Sequence, residues 1–403
     1  MKHHYAAALA LITTTASFGQ ECANGRYSTA NLFPDVTVTS AVVFGSNTGV
    51  SGSNQILRMD VYEPTGDALA LRPVVICAFG GSFVGGARAD VAPICTDFAK
   101  RGYVAVANDY RVGFFLPNQT TTTRAVMRGA HDMRACVRYL RKSVAELGNP
   151  YGIDTTRIFI GGVSAGAISA VHAMYLDEES EVPAVIAPEM ASLGGIEGNS
   201  GNPGYSSRAQ ACYSFSGAIG DSSWINVGDP PLASIHEVGD GVVPYYTAPV
   251  YVVGLPTGLT ASGSHDIHLR ADHMGMVNCF KSYPGTGHVG YLSTDQANAL
   301  NWTALFLSEL ACNQTVTCGL STDVADALEN SITPSPNPTH GPLRFYMPSN
   351  GMVEVIDLGG RVVLAEWLGA GITSLDLEGL PEGAYVVRAA DSNMQPFKVM
   401  RSN

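Results

Sequence analysis

The stretch GIDTTRIFIGGVSAGA, residues 152–167, decides the fold. Arg157 to Ile160 has the composition of a buried strand, and Ser164 to Tyr175 has that of a helix. The five residues Gly162-Val163-Ser164-Ala165-Gly166 form the junction, where a tight turn lifts the Ser164 hydroxyl over the edge of a sheet. Flanking glycines suit such a turn because side chains would collide with neighbouring backbone. The pattern predicts that Ser164 is a nucleophile.

Strand-like and helix-like runs alternate on both sides of this stretch. Strands are predicted at residues 36–44 and 55–62 (a hairpin), 73–79, 103–108, 211–216, 232–236 and 279–283. Helices are predicted at residues 92–101, 123–147 and 301–310. This order predicts an α/β fold with a doubly wound, mostly parallel sheet. Residues 178–210, rich in Gly, Pro, Ser and Asn, are predicted to cover the active site.

A glycine-rich turn follows the predicted strand at residues 73–79. Its sequence is Phe79-Gly80-Gly81-Ser82-Phe83. A glycine pair lets backbone N–H groups approach a substrate oxygen closely, and each such donor contributes about 3 kcal/mol to a transition state. Gly80, Gly81 and Ser82, together with Ala165 after the serine, are therefore the predicted oxyanion hole.

A serine nucleophile needs a base, and the base needs a carboxylate that orients it. In an α/β fold of this kind both partners follow the serine, acid first. Asp240 lies in the turn after the predicted strand at residues 232–236, at the carboxyl edge of the sheet. It is the predicted acid, while Glu237, Asp221 and Asp229 are rivals in poorer positions.

Four histidines of the predicted catalytic domain follow the acid. His288 lies in the Gly-rich loop Pro284 to Gly290, directly after the last predicted strand, and is the predicted base. His265, His268 and His273 lie in a helix-like stretch, where solvated or capping roles are expected. No carboxylate follows them at a ligand spacing, so neither a metal site nor a cofactor is predicted.

The amino-acid composition limits the kinds of partner that the protein can bind. Hydrophobic residues make up 46% of the 403 residues and charged residues 14%, and the formal net charge is −12. Nucleic acids and anionic membranes are bound through clustered Lys and Arg, which this chain lacks. We therefore expect a globular protein with no nucleic-acid partner.

The N-terminal residues 1–20 have the pattern of a cleaved signal peptide. A polar head, Lys2 to His4, precedes an apolar run, Ala6 to Ile12, that is too short to span a bilayer. No other stretch is long and apolar enough to do so. The sequence thus predicts secretion and no membrane span.

Export permits disulfides among the eight cysteines. Cys77, Cys95 and Cys136 lie in apolar patterns and are predicted to be buried thiols. Cys312 and Cys318 flank a short polar loop and are one candidate pair. The other candidates are Cys22, Cys212 and Cys279.

The sequence pattern changes after Cys318. We predict a catalytic domain at residues 21–318, a linker at 319–332 and a second domain at 333–403. Residues from Pro342 onward alternate with period two in short runs separated by Gly, Pro and Asn. That pattern is typical of a small all-β sandwich.

From about Gln55 to Leu310 the chain resembles the carboxylesterase branch of the α/β-hydrolases, which includes hormone-sensitive-lipase-like and feruloyl or acetyl-xylan esterases. The resemblance rests on three pieces: LRMDVYEP at residues 57–64, NDYR at 108–111 and GIDTTRIFIGGVSAGA at 152–167. It implies acylation of the serine followed by hydrolysis with water, on short-acyl or plant polysaccharide-linked esters. Phe79 and Ser82 depart from the family's usual His and third Gly, which bears on substrate preference.

The last seventy or so residues resemble the C-terminal sorting domain of type IX secretion cargo. The pieces are PSPNPTHGPLRF at residues 334–345, VEVIDLGGRVV at 353–363 and LPEGAYVVR at 380–388. The resemblance implies export through the periplasm by the type IX machinery, to the medium or the cell surface. The alternative is an accessory β-sandwich, for example one that binds carbohydrate.

Two other functions compete with an esterase. A serine peptidase of the same fold would carry an N-terminal propeller, and no repeat of that kind precedes this domain. A non-catalytic surface-binding homologue would have lost a member of the triad, whereas candidates for all three are present here.

Overall fold

The computed structural model describes residues 21–22, 25–319, 334–347, 350–369, 371–389 and 396–402. The chain divides into two compact units, Met1–Gly319 and Leu320–Asn403. The predicted signal peptide and nearly all of the predicted linker lie outside the described residues. The domain boundaries proposed from sequence therefore remain predictions.

An eight-stranded sheet is the centre of the first unit's described part. In spatial order its strands are β1-β2-β4-β3-β5-β6-β8-β11. The bounds are β1 Val36–Thr48, β2 Asn54–Pro64, β3 Arg72–Ala78, β4 Val104–Asn108, β5 Ile153–Val163, β6 Ala211–Phe215, β8 Leu232–Glu237 and β11 Asn278–Tyr283. The pairs β1–β2 and β2–β4 are antiparallel. From β4 to β11 in the spatial order, every neighbouring pair is parallel.

A smaller sheet, in the order β7-β10-β9, lies beside it. Its strands are β7 Ala218–Ile219, β9 Ala248–Val252 and β10 Leu255–Gly263. The sequence pattern did not predict these strands, and the β9–β10 pair forms a hairpin.

Helices connect the strands. Their bounds are α1 Ala92–Lys100, α2 Gln119–Glu146, α3 Ala165–Tyr175, α4 Met190–Leu193, α5 Ser264–His273, α6 Tyr291–Thr294 and α7 Gln296–Ala311. Short 3₁₀ turns lie at Arg88–Val91, Glu179–Glu181, Ala187–Glu189 and Ser222–Trp224. Every residue of β3, β4 and β6 is buried, so both faces of the sheet are covered.

Helix α2 begins four residues before the predicted start at Thr123. Asn118 is its N-cap, and the Asn118 side chain accepts a hydrogen bond from the Thr121 amide at 3.0 Å. The cap satisfies an N–H that has no partner within the helix, which extends the helix past the end of the apolar periodicity.

The candidate pair Cys312–Cys318 does not form. The disulfides are Cys22–Cys312 and Cys279–Cys318. Arg157 brings the first pair together, because its guanidinium binds both the Glu21 carboxylate at 2.7 Å and the carbonyl at the end of α7. The second pair forms where the Trp302 indole N–H donates to the Cys318 carbonyl at 3.0 Å and holds that segment beside α7.

Cysteines outside these bridges are buried. Cys77, Cys95 and Cys136 are free thiols, as predicted, and Cys212 joins them instead of forming a bridge. Burial raises the pKa of the Cys136 thiol well above its usual range. These side chains therefore act as small core residues.

The second unit is a small β-sandwich. Its strands are β12 Pro342–Met347, β13 Gly351–Asp357, β14 Val362–Leu368, β15 Gly371–Asp376, β16 Gly383–Ala389 and β17 Phe397–Arg401. They form a two-stranded sheet, β12-β15, and a four-stranded sheet, β14-β13-β16-β17. Alternate residues such as Leu343, Phe345, Val353 and Val355 form its core, as the period-two pattern predicts.

Candidate active site

Ser164 lies on a sharp turn between β5 and α3. Its backbone is in a sparsely populated conformation, with φ 53° and ψ −119°. A Cβ atom on Gly162 would lie 2.5 Å from the Ala78 carbonyl oxygen, and one on Gly166 would lie 2.2 Å from it. Both flanking glycines are thus required by close approach to β3, which is the collision that the sequence argument anticipated.

Backbone bonds hold the strained serine in place. The Ser164 amide donates to the Phe215 carbonyl at 2.8 Å, and its carbonyl accepts from the Ile168 amide at 2.9 Å. Strain of this kind persists only where the surroundings enforce it, and it is typical of active sites.

Three side chains far apart in sequence converge at this turn. His288 Nε2 lies 2.7 Å from Ser164 Oγ, and His288 Nδ1 lies 2.7 Å from Asp240 Oδ2. The Asp240 side chain is fully buried and that of His288 is 19% exposed. The structure therefore brings together the predicted nucleophile, base and acid in hydrogen-bonding order.

The Asp240 carboxylate is satisfied on both oxygens. Oδ1 accepts from the amides of Val242 at 2.8 Å and Val243 at 3.0 Å, while Oδ2 faces His288 and His236. Burial would raise the pKa of Asp240, but the hydrogen bonds from His236, His288 and the Val242 amide outweigh it and hold the pKa well below its usual range. Asp240 is therefore ionised at neutral pH.

His236 is a residue that the sequence analysis missed. Its fully buried ring has Nε2 3.2 Å from both Asp240 Oδ2 and the Val243 carbonyl oxygen. Both of these atoms are acceptors, so Nε2 carries the proton and donates. Nδ1 lies 2.8 Å from Ser264 Oγ, which fixes the other side of the ring. A second imidazole thus positions the acid from behind.

Glu237, the nearest rival in sequence, has a different place. Its carboxylate accepts from the Gly290 amide at 3.1 Å and lies beneath the loop that carries His288. The Gly239 amide also donates to the Gly285 carbonyl at 2.8 Å. These contacts attach the histidine loop to the end of β8.

The other candidates make local contacts, and Asp221 lines the same cavity as Ser164. Asp221 and Asp229 accept from the nearby amides of Ser223 and Asn226. His265 pairs with Asp266, His268 binds Asn278 and stacks on Phe280, and His273 is exposed.

The glycine-rich turn after β3 passes directly beside the nucleophile. A Cβ on Gly80 would lie 3.3 Å from Ser164 Cβ, and one on Gly81 would lie 2.4 Å from the Gly85 carbonyl oxygen. Gly81 and Ser82 have φ values of 118° and 54°. Among the described residues no protein acceptor takes a hydrogen bond from the Gly81 or Ser82 amide. Ala165, as the first residue of α3, also has an amide without an intrahelical acceptor.

Phe79, one of the departures from the family pattern, is held by Tyr110. The rings stack with centroids 4.4 Å apart, and the Tyr110 hydroxyl donates to the Phe79 carbonyl at 2.9 Å. Phe83 packs edge-on against the same tyrosine. Aromatic packing therefore fixes this turn.

A cavity of about 320 Å³ lies beside Ser164. Most of its lining is apolar, including Phe83, Val126, Met127, Ile168, Ile219 and Val252. The site has room for an apolar substrate group next to the serine.

The β9–β10 hairpin forms one wall of this cavity through Val250, Val252 and Leu259. The Gln119 amide group donates to the Gly258 carbonyl at 2.6 Å, which attaches the hairpin to the start of α2. The prediction that residues 178–210 cover the site is therefore wrong in the main, because only Pro183 of that segment lines the cavity. The segment binds β1 and α2 instead, for example through the Ser46 amide and the Ser200 carbonyl at 3.0 Å.

The strand order, the turn at Ser164 and the histidine loop after β11 define an α/β-hydrolase. Residues 59–220 match the BD-FAE family, and residues 335–400 match the secretion system C-terminal sorting domain. Over these two ranges the chain matches an esterase domain and a type IX sorting domain, so it is an esterase-like α/β-hydrolase with a secretion-sorting tail. The predicted fold class and family resemblances are confirmed.

Among solved structures, the chain is similar to Thermogutta terrifontis esterase 2. The form phosphoramylated by tabun is 23% identical, with 69% of this chain and 96% of that chain covered and a TM-score of 0.49. The butyrate-bound form is 22% identical, with 66% and 94% covered and a TM-score of 0.47. Similarity this distant says nothing about substrate.

The sorting domain indicates export through type IX secretion, to the cell surface or outside the cell. Among the helices of the described residues, none is long and apolar enough to cross a membrane. Within the same part of the chain, no group of three or more His, Cys, Asp or Glu side chains is arranged to hold a metal ion.

Proposed function

We propose that this protein is a secreted serine carboxylic-ester hydrolase that works through Ser164, His288 and Asp240. The observation that carries the proposal is the continuous chain of two 2.7 Å contacts from Ser164 Oγ through His288 to Asp240. A serine hydroxyl is a weak nucleophile, and an imidazole at this distance removes its proton as it attacks.

The reaction follows from this geometry. Ser164 Oγ attacks the ester carbonyl carbon while His288 Nε2 takes the hydroxyl proton, and Asp240 stabilises the imidazolium that forms. The amides of Gly81, Ser82 and Ala165 stabilise the negative charge on the carbonyl oxygen, with Gly80 allowing the close approach. Collapse expels the alcohol, which receives the proton from His288. Water, activated by the same imidazole, then hydrolyses the acyl-enzyme.

The cavity supports a substrate class. Its apolar walls favour esters with an apolar acyl group, and its open side leaves room for a small alcohol or a polymer-linked one. We therefore propose short-acyl or plant polysaccharide-linked esters as substrates. A panel of p-nitrophenyl acetate, butyrate and octanoate, methyl ferulate and acetylated xylan tests this directly. If the protein hydrolyses none of these esters, the proposal is wrong.

Filling the cavity is expected to change chain-length preference. Val126 lies on α2 and lines the cavity, so Val126→Phe reduces its volume without touching the reacting atoms. We expect kcat/KM for p-nitrophenyl octanoate to fall about tenfold or more, since one or two methylene-sized steric clashes cost roughly 1–3 kcal/mol. The acetate ester is expected to change less than threefold, roughly 0.6 kcal/mol. Val227→Phe, at an exposed position that does not line the cavity, is the control; equal losses on both esters would refute the assignment.

Removing the imidazole behind the acid is expected to slow catalysis. His236→Phe deletes the Nε2–H donor to Asp240, and a hydrogen bond to a charged group is worth about 1.5–3 kcal/mol. We expect kcat for p-nitrophenyl butyrate to fall about ten- to hundredfold with little change in KM. His236→Gln, which can still donate, should recover part of the loss.

His268→Phe is the matched control for this prediction, because His268 is also buried but binds Asn278 instead of the triad. If His236→Phe and His268→Phe lower kcat equally, the positioning role of His236 is wrong.

A further inference from the structure

A second cavity, of about 270 Å³, shares the lining residue Met127 with the active-site cavity. Three arginines and a histidine line it: Arg111, Arg124, Arg128 and His131. The remaining lining residues are neutral, and no carboxylate is among them. Burial lowers the pKa of His131 to about 3, so this ring is neutral and the three arginines carry the positive charge of the cavity, in a chain with a net charge of −12.

The charges of two of these arginines are balanced by carboxylates that do not line the cavity. Arg111 binds the buried Asp132 carboxylate at 2.9 Å, and Arg124 binds Glu189. Arg128 differs, because no carboxylate of the described residues lies within ion-pair distance of it. Its Nη2 donates to the Gly113 carbonyl, and Nη1 has no protein acceptor among the described residues.

An unbalanced guanidinium in a partly buried position is costly, and a bound anion would offset that cost. Burial, followed by the charge of Arg111, lowers the pKa of Arg128 to about 10. Asn199, which lines the same cavity, offers one further donor group. The Asn199 side-chain oxygen accepts from Asn47 at 2.6 Å, so the Asn199 NH₂ group is left to donate.

We propose that this second cavity binds a small oxyanion, with Arg128 as its main ligand and Arg124 at its mouth. A planar carboxylate fits the Nη1/Nη2 edge of a guanidinium with two parallel hydrogen bonds, so carboxylates should bind more tightly than sulfate. Thr48, Ser192 and Asn199 are exposed, which leaves the cavity open to solvent. The proposal is independent of ester hydrolysis.

Isothermal titration calorimetry of the full chain tests the site with sodium glucuronate, sodium acetate and sodium sulfate. Glucose and sodium chloride are the neutral and simple-salt controls. We expect saturable binding of the oxyanions and none of glucose. Arg128→Met keeps the apolar stem but removes the charge, and it should weaken binding about tenfold or more, as expected for a lost charge-assisted hydrogen bond.

The matched control is Arg141→Met, because Arg141 is another half-buried α2 arginine with backbone partners, and it lies outside the cavity. It should bind as the wild type does. Arg124→Met, at a more exposed position, gives a second test that does not depend on the folding of Arg128→Met. If no oxyanion binds better than chloride, or if binding survives both the Arg128 and Arg124 substitutions, the proposal is wrong.

Discussion

Replacing Ser164 by alanine is expected to reduce kcat/KM for p-nitrophenyl butyrate by about 10⁴-fold or more. Without Oγ no acyl-enzyme forms, and the activity that remains comes only from binding and from the backbone amides around the carbonyl oxygen. Steady-state kinetics measure the loss, with spontaneous ester hydrolysis subtracted.

Ser169→Ala is the matched control for this substitution. Ser169 is a fully buried serine on α3, the helix that follows Ser164, and its hydroxyl donates to the Ala165 carbonyl at 2.9 Å. It should retain activity within about threefold, roughly 0.6 kcal/mol. Retention of activity by Ser164→Ala, or an equal loss in Ser169→Ala, would show that the nucleophile lies elsewhere.

Asp240→Asn is expected to have the next largest effect. The Asp240 side chain is fully buried and ionised, so the change replaces a charge beside His288 by a neutral amide of nearly the same shape. An amide can present its NH₂ group to Nδ1 and favour the wrong tautomer of the base. Such a change costs about 10⁴-fold in kcat in a serine triad.

Glu237→Gln separates the acid from its nearest rival. Glu237 is also buried, but its carboxylate accepts from the Gly290 amide rather than from His288. A glutamine still offers an acceptor there, so the loss in kcat should stay within about tenfold, roughly 1.4 kcal/mol. If Glu237→Gln removed activity and Asp240→Asn did not, the two carboxylates would have to exchange roles.

The sequence predicts the parts of the fold that depend on local periodicity and on turn chemistry. Strands such as β3 and β4 are short runs without polar interruption, and the glycines around Ser164 have one physical reason, which is close approach to Ala78. Asp240 and His288 each follow a strand of the parallel sheet, so both lie at its carboxyl edge. These features need no knowledge of distant contacts.

Features that depend on distant contacts were missed. The β9–β10 hairpin contains Pro249, Pro256 and Gly258, and β10 begins with two successive exposed residues and ends with two successive buried ones instead of alternating. His236 gains its role only when Ser264, 28 residues later, closes over its ring. The only local sign of this role is that His236 lies four residues before Asp240, close to the same turn after β8. The disulfide partners likewise depend on how α7 lies against the N-terminal segment.

Covalent labelling with a fluorophosphonate tests the central claim most directly. The probe reacts only with a serine whose proton can be removed by a positioned base. Intact-mass and peptide spectrometry should find one adduct per chain, on Ser164, and His288→Gln should lose it. An adduct on another residue, or labelling of His288→Gln at the wild-type rate, would contradict the account.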